Sequence, residues 1–186
     1  MFKVAVIVGS LSRSSINRKL ALALARLGEG RFEPVWVEIG DLPVYNRDLD
    51  ADLPASVQRF KREIEAADAL LFVTPEYLRS PPAALKNTLE WGSRPYGKSS
   101  WTGKPAAVAG ASPGGIGTAT AQQQLRNVLA HVDVHVMGQP EAFITFKEGL
   151  IDETGEVSNE GTRKFLEGYI SRFVAWVELF RSRPAS

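Results

Sequence analysis

Apolar positions along this chain fall either in short continuous runs or in stretches repeating every three to four residues. That is the pattern of strands interleaved with helices. Phe2–Val8 is apolar and long enough for a buried parallel strand, and residues 18–27 place Leu20, Leu24 and Leu27 at helical spacing. Residues 32–39 read as a second strand, with Val35, Val37 and Ile39 alternating, and residues 40–54 as a loop rich in Asp and Pro around Tyr45. Residues 55–67 have helical periodicity through Val57, Phe60 and Ile64, and Ala69–Val73 is a continuous apolar run suited to a strand covered on both faces. A loop over residues 75–82 precedes a helix over 83–91; residues 105–109 form a fourth strand, followed by a turn over 112–117. A helix over 119–129, a fifth strand over 132–137 and a mobile polar loop over 149–159 follow. A long helix over 163–180 carries Phe165, Tyr169, Phe173, Trp176 and Phe180 on or near one face, and residues 181–186 read as a frayed end.

Strict alternation of strand and helix predicts a single α/β domain over residues 1–186 built on a doubly wound, five-stranded parallel sheet with helices on both faces. In such sheets ligands sit beyond the carboxyl ends of the strands, near the point where the winding reverses. The turns after strands one, three and four are thereby expected at one edge.

The first of these turns carries the most chemistry. Val8-Gly9-Ser10-Leu11-Ser12-Arg13-Ser14-Ser15-Ile16-Asn17 joins the first strand to the first helix. Free backbone N–H groups and the positive end of the helix dipole meet at such a turn and attract an anion. Ser10, Ser12, Ser14, Ser15 and Asn17 add side-chain donors and Arg13 a full charge. Only Gly9 of the three glycines of a dinucleotide fingerprint is present, and no Gly-Lys-Ser/Thr triplet opens the helix. A hydroxyl-lined turn instead suits the terminal phosphate of a mononucleotide such as FMN; the plainer alternative is a serine-rich loop in which Ser14 or Ser15 caps the helix. The second turn, Thr74-Pro75-Glu76-Tyr77-Leu78-Arg79-Ser80-Pro81-Pro82, is held stiff by three prolines and offers Tyr77 as a flat surface, either for a ring or for packing. The third has glycines at 114, 115 and 117, which permit close approach to a flat ligand or simply form a turn.

Composition narrows the options. The chain has 186 residues, no cysteine, and 22 basic against 21 acidic side chains, a net charge of +1. Thiolate chemistry and cysteine-bound metals are excluded, and no charge excess points to nucleic acid. No run reaches the roughly 20 apolar residues needed to cross a bilayer. With no signal-peptide pattern at the start, the expected location is the cytoplasm. His131 and His135 stand four apart near the fifth strand and read as ordinary, partly exposed residues.

Taken together, the motifs resemble the NADPH-dependent FMN reductase family, the flavodoxin-like group that includes chromate and quinone reductases. The resemblance rests on Gly9-Ser10-Leu11 with Ser15 and Asn17; on Pro75-Glu76-Tyr77 with Ser80 and Pro81; and on Leu85-Lys86-Asn87, Glu90-Trp91 and Ser93-Arg94-Pro95. Gly103-Lys104-Pro105, Ser112-Pro113-Gly114 with Gly117, and Asp152-Glu153 with Gly155 extend it to the last helix. It implies that Ser10, Arg13, Ser15, Ile16 and Asn17 hold the FMN phosphate, that Pro75, Glu76, Tyr77 and Leu78 border the isoalloxazine ring, and that Ser112, Gly114 and Gly115 meet its pyrimidine end. It further implies hydride transfer from NADPH or NADH to the flavin and on to a small acceptor (a quinone, flavin or chromate), in alternating half-reactions without a side-chain catalyst or metal. It implies a homodimer or homotetramer; residues 93–102 would then either cover a partner's site or form a solvated connection. The chain departs from the family at Ser12, where Arg is usual, and at Leu78, where Asn is usual. A flavodoxin-like electron carrier, which would be strongly acidic, and a mononucleotide sensor without turnover are the other classes to weigh.

Overall fold

The computed structural model describes residues 1–182. Its elements are β1 (Phe2–Val8), α1 (Ile16–Leu27), β2 (Phe32–Trp36), α2 (Ala55–Glu65), β3 (Ala69–Val73), α3 (Ala83–Gly92), β4 (Pro105–Ser112), α4 (Ala119–His131), β5 (His135–Val136), β6 (Ala142–Thr145) and α5 (Glu160–Arg181). All strand pairings are parallel and the order is β2-β1-β3-β4-β5, with β6 also on β4. This is the flavodoxin-like order. β3 is buried at every position because β1 and β4 flank it and helices cover both faces.

The alternating side chains of β1 feed two separate cores. Val4 and Val6 pack with Leu20 and Leu24 of α1 and Leu166, Tyr169 and Phe173 of α5. Ala5 and Ile7 face the other way, toward Val57 and Phe60 of α2, Leu85 and Trp91 of α3, Trp101, and Leu125 of α4. Each fully buried large apolar side chain contributes about 1.5–3 kcal/mol, so these two layers dominate stability. The Tyr169 hydroxyl is buried in the first layer and donates to the Val108 carbonyl at 2.9 Å. Burial pushes its ionisation well above the ordinary phenol range.

Several boundaries differ from the sequence expectation. β2 ends at Trp36 rather than 39: Val37 still donates its N–H to Val6 at 3.1 Å, but beyond it the buried Val37, Ile39 and Leu42 pack with α2 without a strand partner. Alternation there reports burial, not pairing. β4 continues to Ser112 because β6 supplies a partner for Ala109–Ser112. The fifth strand shrinks to His135–Val136, and the segment Gly138-Gln139-Pro140-Glu141 separates it from β6, so the expected fifth place is filled by two pieces. α1 begins at Ile16 and α5 at Glu160, earlier than periodicity indicates, because Ser15 and Asn159 accept the N–H of Arg18 (3.2 Å) and Thr162 (2.8 Å).

The stretch 149–159 is a docked turn rather than a mobile loop. Ile151 and Val157 form an antiparallel bridge, and the Asp152 carboxylate accepts from the Thr154 N–H, the Thr154 hydroxyl and the Glu156 N–H. Those bonds, led by the one from Glu156, lower its pKa. Gly155, at φ +83°, lies against α1 so closely that a Cβ would stand 2.7 Å from the backbone of Leu22 and Ala23. α5 runs to Arg181 with Ser182 as its cap, and the rest of the expected frayed end, 183–186, lies outside the described residues.

Candidate functional site

The three turns expected at one edge do converge. Ser10, Ser12, Ser14, Ser15, Ile16 and Asn17 of the first, Pro75, Glu76 and Tyr77 of the second, and Ala111, Ser112 and Pro113 of the third line one cavity of about 230 Å³. The strands beneath hold them in register. The Gly9 N–H donates to Val73 and the Thr74 N–H to Ala109, each at 2.9 Å, so each turn leaves the sheet at the same level as its neighbour.

The floor is the start of α1. Its first N–H groups, those of Ile16 and Asn17, have no intrahelical acceptor and point out of the helix end. Ser15 serves as N-cap, so the capping alternative holds alongside the anion one: its oxygen accepts from Arg18, which leaves its O–H able to donate. Around it, Ser12 and Ser14 approach each other at 3.4 Å, and the Ser12 N–H meets the Ser10 hydroxyl at 3.4 Å. Contacts at that length are weak, so these groups are held near one another without being strongly engaged. Hydroxyls, free N–H groups and a helix dipole facing one small cavity fit a phosphate.

The side chain of Asn17 has a structural task. Its buried side-chain amide donates to the Ala111 carbonyl at 2.9 Å and accepts the Ala111 N–H at 2.8 Å. It clamps the start of α1 to the end of β4, leaving only its backbone N–H for an anion.

Glu76 is likewise a brace. Its side chain is only 7 % exposed; Oε2 accepts the Ala121 N–H at 3.0 Å and Oε1 lies 3.5 Å from Arg79. Thr118 makes no side-chain cap on α4, and Glu76 supplies the missing acceptor at that helix's positive end. Gln124 of α4 adds two bonds, donating to the Arg79 carbonyl and accepting the Ser80 hydroxyl at 2.8 Å. Tyr77 and Ser80 exchange two backbone bonds of 3.0 Å across Leu78 and Arg79. Leu78 (φ +52°) and Arg79 (φ +64°) therefore form a tight turn with both central residues left-handed, a conformation that suits Asn and Gly. Leu78 is fully exposed at its tip.

Not every expected residue joins the cavity. Leu78, Gly114 and Gly115 lie outside its lining, although Gly114 donates its N–H to the Ser112 hydroxyl at 3.1 Å. Arg13 is exposed and lines a different cavity, toward β2. Ser12, Ser14, Ala111 and Pro113 line the cavity in addition to the residues the resemblance selects. The serines stood in the same turn; nothing local marked Ala111. His131 ends α4 and His135 stacks on Phe180 with ring centroids 4.8 Å apart. Trp176 donates to the His135 carbonyl at 2.9 Å, so Trp176 and Phe180 pack on their own β5.

Residues 93–102 are partly anchored in the core. Trp101 is buried against Phe60 and Phe72, and the nearly buried Lys61 ammonium donates to the Lys98 carbonyl (2.9 Å) and the Ser100 hydroxyl (2.7 Å). Burial lowers the Lys61 pKa, partly offset by Glu65. Arg94 lies over the Tyr45 ring and Tyr96 is exposed, so the outer half of the loop remains on the surface.

Among known proteins, the family model for NADPH-dependent FMN reductases matches residues 2–149. A 2-hydroxy-1,4-benzoquinone reductase of a Burkholderia species is 50 % identical over 175 residues, 94 % of this chain and 96 % of that protein. A quinone reductase of Pseudomonas putida is 46 % identical over 183 residues, 98 % of each chain. The solved structure of FerB, a flavoenzyme NAD(P)H:(acceptor) oxidoreductase from Paracoccus denitrificans, superposes with a TM-score of 0.94 at 50 % identity, covering 97 % of this chain and 99 % of that one.

Proposed function

The chain belongs to the NADPH-dependent FMN reductase family, and on that footing we propose that it is an FMN-dependent NAD(P)H oxidoreductase that reduces quinones. The observation that carries this reading is the single cavity shared by the three turns, with its serine cluster on a helix N-terminus. FMN, when bound, supplies the hydride and electron chemistry, and the protein supplies binding and orientation.

In this assignment the hydroxyls of Ser10, Ser12, Ser14 and Ser15, with the N–H groups of Ile16 and Asn17, donate to the phosphate. Pro75, Tyr77 and Ser112 form the walls toward the ring, while Gly114 and Gly115 leave the backbone beside Ser112 open. Asn17 and Glu76 hold these walls at fixed separation through Ala111 and Ala121. No side chain is assigned a proton transfer. The quinone class follows the named activities of the two relatives at 50 % and 46 % identity.

We also propose that two or four copies assemble with the site near a subunit boundary. Val44, Leu78 and Tyr96 are strongly exposed apolar or aromatic residues that such an assembly would cover. No helix among the described residues is long and apolar enough to cross a membrane; together with the absence of cysteine, this supports a cytoplasmic location.

The test is a visible spectrum of the protein purified in the presence of FMN, followed by anaerobic titration. A bound yellow chromophore that bleaches with NADPH and regains colour with benzoquinone supports the assignment. A colourless protein that FMN does not stabilise, and that oxidises neither NADPH nor NADH, overturns it.

A further inference from the structure

Gln124 stands on the exposed side of α4, yet both ends of its amide are committed to the second turn. Nε2 donates to the Arg79 carbonyl at 2.6 Å, and Oε1 accepts the Ser80 hydroxyl at 2.8 Å. The Arg79 carbonyl can only accept, so it fixes which way the amide faces. The two partners lie 45 and 44 positions away in sequence. An exposed glutamine thus gives up its side-chain freedom for bonds that water would otherwise supply.

What those bonds hold is a strained tip. Leu78 and Arg79 are both left-handed, at φ +52° and +64°, and neither is glycine or asparagine. Such a turn persists where its surroundings over-determine it. Tyr77 and Ser80 exchange backbone bonds of 3.0 Å, which close the turn on itself. Glu76 ties its base to the Ala121 N–H at 3.0 Å. Gln124 ties its tip, about one helical turn further along α4. Between these two attachments lies Tyr77, half exposed and lining the cavity with Ser112 and Pro113 of the third turn.

α4 therefore carries two walls of the cavity at once. The third turn runs directly into its start at Ala119, and the second turn is attached to it at Ala121 and Gln124. Attachment at Ala121 alone leaves a pivot about which the second turn can swing. The second attachment removes that rotation and fixes the separation of the two walls. Gln124 itself is not among the residues that line the cavity.

We propose that Gln124 is a positioning residue for the flavin ring: by anchoring the tip of the second turn to α4, it holds Tyr77 at the distance from the third turn that a flat ring requires. It touches neither ring nor phosphate and acts through Arg79 and Ser80. The inference rests on the oxidoreductase reading above and deepens it, separating what sets ring binding from what sets phosphate binding.

The test titrates the FMN-free protein with FMN and with riboflavin, which has the same ring and no phosphate, followed by flavin fluorescence. Gln124→Ala is expected to weaken both by the same factor, about tenfold for two ordinary hydrogen bonds, and to leave the ratio of the two affinities unchanged. Gln124 is exposed and alanine favours helix, so the fold survives the change. Ser14→Ala, in the phosphate turn, lowers the ratio instead. Gln124→Glu supplies a rescue: a protonated carboxyl donates to the Arg79 carbonyl as the amide does, and a carboxylate cannot. Its riboflavin affinity, relative to the unaltered protein at the same pH, therefore recovers as pH falls from about 7 toward the ordinary glutamate value of about 4.3. Trypsin reads the attachment without a ligand: Arg79, with its side chain 70 % exposed, is cut about tenfold faster in Gln124→Ala, in step with the lost affinity. Riboflavin affinity in Gln124→Ala within about twofold of the unaltered protein overturns the proposal. So does a loss confined to FMN, which would place Gln124 on the phosphate side, or a loss without faster cleavage at Arg79. A protein that binds both flavins yet fails these comparisons defeats this inference alone. One that binds neither defeats the oxidoreductase reading and the ring assignment with it, while trypsin still reports whether Gln124 holds the turn.

Discussion

Asn17→Ala tests most directly how the site is built into the fold. The Asn17 amide is buried and pairs with both backbone groups of Ala111, at 2.9 and 2.8 Å. Removing it leaves a buried N–H and a buried carbonyl at the end of β4 without partners. Each unsatisfied group costs about 1–3 kcal/mol, so the pair costs about 2–5 kcal/mol after allowing for partial rehydration from the adjoining cavity. With a urea slope of about 2 kcal/mol per molar for a domain of this size, the midpoint falls by roughly 1–2.5 M at unchanged slope. Urea unfolding of the FMN-free protein, followed by circular dichroism, reads this without interference from ligand stabilisation. Asn17→Asp keeps an acceptor for the Ala111 N–H but sets a carboxylate against the Ala111 carbonyl and beside the anion site. It should match or exceed the alanine variant in lost stability and lower FMN affinity further. An unfolding free energy for Asn17→Ala within about 0.5 kcal/mol of the unaltered protein would refute the clamp and return the Asn17 side chain to the role of a direct phosphate ligand.

Other expectations follow from the same contacts. Glu76→Ala removes the cap on α4 and should cost about 0.5–2 kcal/mol in thermal or urea unfolding, with loosened loop residues 75–82 giving faster proteolysis there. Leu78→Asn, placed at φ +52°, relieves left-handed strain worth about 1–2 kcal/mol and should raise the melting temperature; a fall would show that the Leu78 tip is held by contacts not described above. Above pH 10, the ordinary phenol value, Tyr169 ionises in the unfolded chain but stays neutral when folded. The native state then binds more protons, so stability falls as pH rises; Tyr169→Phe should be less stable at neutral pH yet show a shallower alkaline decline in urea midpoint.

The fold was legible because both kinds of periodicity are strong: Ala69–Val73 is apolar throughout, and Val57, Phe60 and Ile64 mark one helix face. β6 escaped notice because it has four residues, only two of them buried, directly after a Gly-Gln-Pro-Glu segment. The 149–159 turn looked mobile because its anchoring is tertiary: Gly155 fits against α1, and Glu153 and Glu156 pair with Lys19 and Arg26. At the site, the serine turn could be singled out from residue types, since hydroxyls at a strand-to-helix turn serve to cap the helix or to meet an anion, and Ser15 does cap it. The side-chain task of Asn17 could not, because its partner is 94 positions away and contributes only backbone. Nor could the sequence place Arg13 in the neighbouring cavity: it gives the residue's distance from the turn but not which wall of the turn it follows.

The division of the fifth place in the sheet has an evolutionary consequence. β4 is paired at Pro105–Ala106 by one segment and at Ala109–Ser112 by another, so neither ladder sets the length of chain that joins them. Beyond the buried Met137, residues can be gained between Met137 and Ala142 at the modest entropic cost of a longer closure, about 0.6 kcal/mol per doubling, without re-registering the strand that ends beside the cavity. The architecture thus contains a tolerant joint, where descendants can vary in length and chemistry while the turns that line the cavity stay unmoved.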